Sequence, residues 1–341
     1  MLRLLSTFAI AIGAYTGASP VGTLQASAPA FWKLVPKGTE VQLVTDGFTW
    51  AEGPVWVREG GYLLLSDVPK NRIYRWAPGD RSAQIFLEPS GPSETTGLRE
   101  PGANGLKPGL NGYILAAGSG DRGIALINLR TKTKRLLIQR FKGKKFNSPN
   151  DIAVAPDGAI WFTDPPYGLD GIEKSPLKEQ AEDRVYRLAP NGRVSAMVSD
   201  LQFPNGIAFA PDGRTLYVSN SDPKRAVITA WSVSRTGNLS HRRIFADMNA
   251  LAAKGLPGLP DGMAVDERGD LWAAGPGGIH VIAPDGRELG LIATGVAISN
   301  CTFGGADGRT LFMTSTHQVV SLRTNVRGAP IRVVKIPGRS K

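Results

Sequence analysis

Short apolar runs, each bounded by Gly, Pro, Asn or Asp, set the pattern of this chain. The clearest unit starts at the polar corner Ser148-Pro149-Asn150-Asp151 and enters the apolar run Ile152 to Ala155. Pro156-Asp157-Gly158 follows, and then a second run, Ile160 to Thr163. Pro presets φ and Gly accepts the positive φ of a tight turn, so the unit predicts a hairpin of two strands. The unit recurs with starts at Glu52, Asn104, Asn150, Asn205, Asp261 and Asn300. A spacing of roughly 40 to 55 residues suits a propeller blade of four short strands. The pattern predicts an all-β fold, a six-bladed β-propeller with a central metal site. No long helical period stands out, and only the opening segment and residues 174–184 are helical candidates. Val41-Gln42-Leu43-Val44-Thr45 alternates like a strand. It is expected to close the ring by pairing near Val319–Leu322 or Ile331–Ile336.

The phase of the repeat carries the chemistry. Each copy begins with a small polar or acidic residue, and equivalent positions of successive blades surround one axis. Their oxygens therefore converge. Glu52, Asn150, Asn205 and Asp261 supply two carboxylates and two amide carbonyls, a donor set for a hard cation such as calcium, with magnesium or manganese also able to enter. A single Asn-Gly is turn chemistry; the shared phase of several is what points to a site. Asp151 and Asp164 read as carboxylates behind it or at strand corners.

Composition narrows the rest. Closed β architectures run long as one domain, so 341 residues fit a single propeller over 29–341. The basic start Met1-Leu2-Arg3, the apolar run Leu4 to Tyr15 and the small residues after it read as a signal peptide within 1–28. Export, to the periplasm in a Gram-negative source, is expected, with no stable membrane insertion once the signal is removed. The net charge of +11 is scattered and lacks interleaved aromatics, which argues against nucleic acid as a partner. Cys301 is the single cysteine, so no internal disulfide forms, and its apolar strand predicts an inert thiol. His241, His280 and His317 share no zinc-ligand spacing. Neither a Gly-x-Ser-x-Gly elbow nor a phosphate-binding loop is present. Residues 164–184 interrupt the repeat, as a cover over a functional face or as a surface excursion.

Six phrases in order carry a resemblance: Ala51-Glu-Gly-Pro-Val-Trp56, Phe146-Asn-Ser-Pro-Asn-Asp151, Trp161-Phe-Thr-Asp-Pro-Pro-Tyr-Gly168, Pro204-Asn-Gly206, Leu259-Pro-Asp-Gly-Met263 and Asn300-Cys-Thr-Phe-Gly304. Across about residues 40 to 320 the chain resembles the gluconolactonase, senescence marker protein and luciferin-regenerating enzyme family. The resemblance implies a six-bladed propeller with one divalent metal near the axis, calcium first, with magnesium, manganese or zinc as alternatives. It implies Glu52, Asn150, Asn205 and Asp261 as metal ligands and Asp261 as the catalytic base. Asn104 and Tyr167 would touch the substrate, a small lactone opened by water, and the chain is expected to act as a monomer. Ser119 stands where family members often carry His, and Ser148 where animal members carry Arg. Both departures bear on lactone specificity and leave the metal argument untouched. Two other readings share the scaffold: a phosphotriesterase or aryl esterase on the same site, and a non-catalytic binding propeller.

Overall fold

A computed structural model of the chain describes residues 21–110, 112–332 and 334. Those residues form six antiparallel sheets and one short two-stranded ribbon. The innermost strands are Ala51–Val57, Ala103–Pro108, Ile152–Val154, Pro204–Phe209, Met263–Val265 and Asn300–Gly304. Each touches the next and the last touches the first, so the ring is closed. The predicted repeat units are the first two strands of the six blades. In the third, Ile152–Val154 pairs with Ile160–Asp164, and the Ala155 N–H donates to the Ala159 carbonyl at 2.9 Å across the Pro-Asp-Gly turn.

Blades are buried on both faces, which explains why their second strands read as continuous apolar runs rather than alternating ones. Ile160–Asp164 and Leu271–Gly275 are buried at every position. The core lies between neighbouring sheets: Leu115 and Ile124 of the second blade pack with Ile152, Phe162 and Tyr186 of the third. Each such fully buried side chain contributes about 1.5–3 kcal/mol.

Ring closure follows the first of the two expected pairings. Gln42–Asp46 pairs antiparallel with Gln318–Arg323, with Leu43 opposite Val320 and Thr45 opposite Val319. The second candidate is not a strand where it is described. Ile331 and Arg332 instead pass across one end of the ring, and the Arg332 Nη2 donates to the Ala210 and Pro211 carbonyls at 2.8 and 2.7 Å. A further strand, Thr23–Ala26, pairs with Glu288–Ala293 and makes the fifth blade five-stranded. It falls in the last part of the expected signal segment, of which residues 1–20 lie outside the described residues. The helical candidate over 174–184 forms no α-helix, and one 3-10 turn, Ile172–Lys174, stands at its start. Pro176 forces Ser175 into an extended conformation, with ψ 132°, and ends the turn. Side chains hold the insertion instead: Lys178 pairs with Glu173 at 3.1 Å and with Asp183 at 3.3 Å.

Candidate active site at the propeller axis

The leading residues of the blades are brought together by hydrogen bonds that run from one blade to the next. Ser66 Oγ donates to the Asn104 carbonyl at 2.8 Å, and Thr163 Oγ1 to the Asn205 carbonyl at 2.6 Å. Ser221 Oγ donates to the Pro260 carbonyl at 2.6 Å, one residue before Asp261. Ser299 Oγ donates to the Ala51 carbonyl at 2.6 Å, one residue before Glu52. The Gly105 N–H donates to the Asn150 carbonyl at 2.8 Å. These bonds fix the leading residues against one another. The glycines that follow them serve the same close approach. A Cβ on Gly206 would lie 2.2 Å from the Asp261 carbonyl oxygen, and one on Gly262 would lie 2.0 Å from the Asn300 side chain. The Asn-Gly and Asp-Gly pairs, which read as turn chemistry, are here sites of backbone contact between blades.

One cavity of about 480 Å³ is lined by Glu52, Asn104, Asn150, Tyr167, Asn205 and Asp261. All six residues singled out from the sequence thus meet at one end of the axis. Glu52, Asn104, Asn150 and Asn205 are buried. Three buried oxygens there have no hydrogen-bond partner: Asn104 Oδ1, Asn205 Oδ1 and Asp261 Oδ1. For Asn205 the orientation is set by its other end, because Nδ2 donates to Ser221 Oγ at 3.0 Å and leaves the carbonyl oxygen free. Unpartnered buried acceptors are costly, about 1–3 kcal/mol each, and ask for a partner from outside the chain.

The electrostatics ask for a cation. Burial pushes the Glu52 carboxyl up to about 7, helped by the Asp151 charge and opposed by the Gly53 N–H, which donates to Oε2 at 3.0 Å. Burial and the Glu52 charge hold Asp261 well above the ordinary carboxylate range. Two mutually repelling carboxylates, Glu52 buried and Asp261 half-buried, beside free amide oxygens, fit a hard divalent ion, which would return both to the ionised state. Among the described residues no group of three or more His, Cys, Asp or Glu side chains gathers as a metal cluster. The axial set therefore depends on amide oxygens.

The other candidates fall outside the cavity. Asp151 is fully buried behind it and pairs with Lys107 Nζ at 3.4 Å. Asp164 accepts the Asn147 N–H at 2.9 Å. Cys301 is buried, donates to the Trp272 carbonyl at 3.2 Å, and has its thiol pushed up to about 12 by burial. His280 is hydrogen-bonded with Glu288 and the Pro276 carbonyl, and His317 with the Phe48 carbonyl. The sequence reading missed Trp50, Arg99, Glu100 and Ser221, all of which line the cavity. Arg99 and Glu100 stand outside the repeat phase, so no periodicity marks them.

Residues 50–317 match the family described as the SMP-30/gluconolactonase/LRE-like region. The chain is 41% identical over 316 residues to the gluconolactonase of Zymomonas mobilis, covering 91% of this chain and 88% of that protein. It is 33% identical to a gluconolactonase of known structure from Xanthomonas campestris, with a TM-score of 0.75 over 90% of this chain and 95% of that one. A calcium-binding protein, regucalcin from Agrobacterium tumefaciens, shares the fold, with 18% identity and a TM-score of 0.65 over 87% of this chain and 97% of that one. This chain belongs to the SMP-30/gluconolactonase/LRE-like family.

Proposed function

We propose that this protein is a gluconolactonase-like hydrolase that opens a lactone with water at the axial cavity, using a divalent metal and Asp261 as general base. The observation that carries the reading is the convergence of unpartnered oxygens, Asp261 Oδ1 among them, in one buried cavity. The name of the Zymomonas relative supports the lactone as substrate. Calcium is the first choice of metal, because the donors are all oxygen and the regucalcin relative is a calcium-binding protein.

Glu52, Asn150, Asn205 and Asp261 would hold the ion. When bound, it supplies Lewis-acid stabilisation of the charge that develops on the lactone carbonyl oxygen. Asp261 Oδ1 takes the proton of the attacking water as the new C–O bond forms. The ring C–O bond then breaks, and the leaving alkoxide oxygen takes up that proton to give the open hydroxy acid. A carboxylate sharing a metal is a modest base, which suits a labile ester such as a lactone and not an amide. Asn104 and Tyr167 contact the substrate. Tyr167 is held by stacking on Phe203 at 5.3 Å, which positions the start of the 164–184 insertion at the mouth.

Export remains part of the proposal, with the signal cut ahead of Thr23. A cut at residue 28 would remove the strand that covers the outer edge of the fifth blade. The test of the activity is acid release from a lactone panel after chelation and after adding back calcium, magnesium, manganese or zinc singly. Metal-dependent acid release is expected. Faster turnover of aryl esters or organophosphates would move the reading to the other hydrolase. Metal binding with no turnover of any ester would leave a binding propeller.

A further inference from the structure

Arg99 and Glu100 belong to a loop between the first two blades, outside the repeat, yet both line the axial cavity. The backbone pins them: the Arg99 and Glu100 N–H groups both donate to the Gly168 carbonyl, at 2.9 and 3.2 Å. Arg99 Nε donates to the Tyr167 carbonyl at 2.9 Å, and its guanidinium pairs with the Glu100 carboxylate. Leu98 bridges Leu169 as an isolated pair of strand residues, so this loop and the 164–184 insertion are fastened into one rim. Burial raises the Glu100 carboxyl, with Arg99 opposing. Glu100 lines the same cavity as the Glu52 and Asp261 carboxylates.

We infer that Arg99 and Glu100 form a hydroxyl-recognition clamp that selects lactones carrying several ring hydroxyls. This rests on the lactonase reading of the same cavity and adds a specificity-determining pair to it. A carboxylate accepts hydrogen bonds from neighbouring hydroxyls, and a guanidinium donates to them; an unsubstituted ring offers partners to neither. A site that bonds a substrate hydroxyl discriminates against the analogue that lacks it; here Arg99 and Glu100 keep each other as partners when no hydroxyl is present. Arg99 is exposed and Glu100 half-buried, so the discrimination is smaller than in a dry pocket. Trp50, at the same mouth, offers an apolar face for the ring.

The experiment compares kcat/KM for glucono-δ-lactone with that for δ-valerolactone in the wild type and in Glu100→Gln, Glu100→Ala and Arg99→Ala, all with calcium. The ratio within one preparation cancels any loss of folded protein. The wild type is expected to prefer the hydroxylated ring. Glu100→Ala should lower the preference at least about tenfold and Arg99→Ala severalfold, chiefly through KM for the hydroxylated lactone. Glu100→Gln, which keeps one acceptor, should fall between the wild type and Glu100→Ala. Hydrolysis of both lactones with an unchanged ratio in all variants overturns the clamp and leaves the lactonase reading standing. Hydrolysis of neither lactone by the folded wild type overturns both.

Discussion

The two ends of the axis are made by the same inner strands, and they differ in whether their polar atoms are satisfied. At the mouth, a cavity of about 480 Å³ holds unpartnered amide and carboxylate oxygens and carboxyls pushed up by burial. A few residues further along the strands, a cavity of about 160 Å³ is walled by Ile152, Val154, Ile207, Phe209 and Val265. Its two cations are already engaged, Lys107 with Asp151 and Arg332 with the Ala210 and Pro211 carbonyls. The chemistry proposed for this protein belongs to the first of these two ends. Unmet hydrogen-bonding capacity, not cavity shape, separates the mouth from the packed end.

The strongest way to break this comparison is to exchange one residue at each end. Asp261→Asn should keep the fold and lower kcat on the order of 10²–10⁴-fold with saturating metal, the usual range for a lost general base. Val265→Ala, at the packed end, should leave kcat within about twofold and cost about 2 kcal/mol of stability through the cavity it opens. Full activity in the first variant, or a large loss in the second, would end the assignment of chemistry to the mouth.

Metal linkage sharpens the same contrast in a smaller signal. Calcium at a hundredfold excess over its dissociation constant stabilises the folded state by about 2.7 kcal/mol, a rise of several degrees or less in Tm for a domain of this size. Glu52→Gln removes a buried carboxylate that repels the Asp261 carboxylate. The variant should therefore melt higher than the wild type when metal is chelated, and should gain little from calcium. Calorimetric scans with and without calcium check both halves; an intact calcium shift in Glu52→Gln would remove Glu52 from the ligand set.

The blades were legible because their signals are local. Pro-Asp-Gly turns, two-sided burial and a repeated phase mark each one, and the same phase marked Glu52, Asn104, Asn150, Asn205 and Asp261. The Gly after four of these was legible as a residue but not in its role, because Gly206 is required by the Asp261 backbone of the next blade. Arg99 and Glu100 reach the cavity through bonds to Gly168 and Tyr167, almost seventy positions away. No window along the chain contains both partners. Thr23–Ala26 was hidden differently: its short run of mixed residues becomes a strand only because Glu288–Ala293 offers a free edge.

The smallest expected effect distinguishes carboxylates of the mouth from those of the wall behind it. Asp164 is fully buried, lies outside the axial cavity and has its carboxyl pushed up to about 7, chiefly by burial, against the Asn147 N–H and the Arg122 charge. The folded state therefore holds this proton more tightly than the unfolded chain, whose carboxyl titrates near 3.8. The contribution to stability is complete below pH 4 and is lost as pH rises through about 7. Asp164→Asn holds a neutral group at the position and should flatten that part of the profile, so that the variant loses less stability than the wild type between pH 5 and pH 7. Urea midpoints at the two pH values, with saturating calcium to keep Glu52 and Asp261 ionised, measure the difference directly. Equal losses in both proteins would mean that Asp164 is already ionised at pH 5, and that burial behind the mouth shifts a wall carboxylate far less than burial within it.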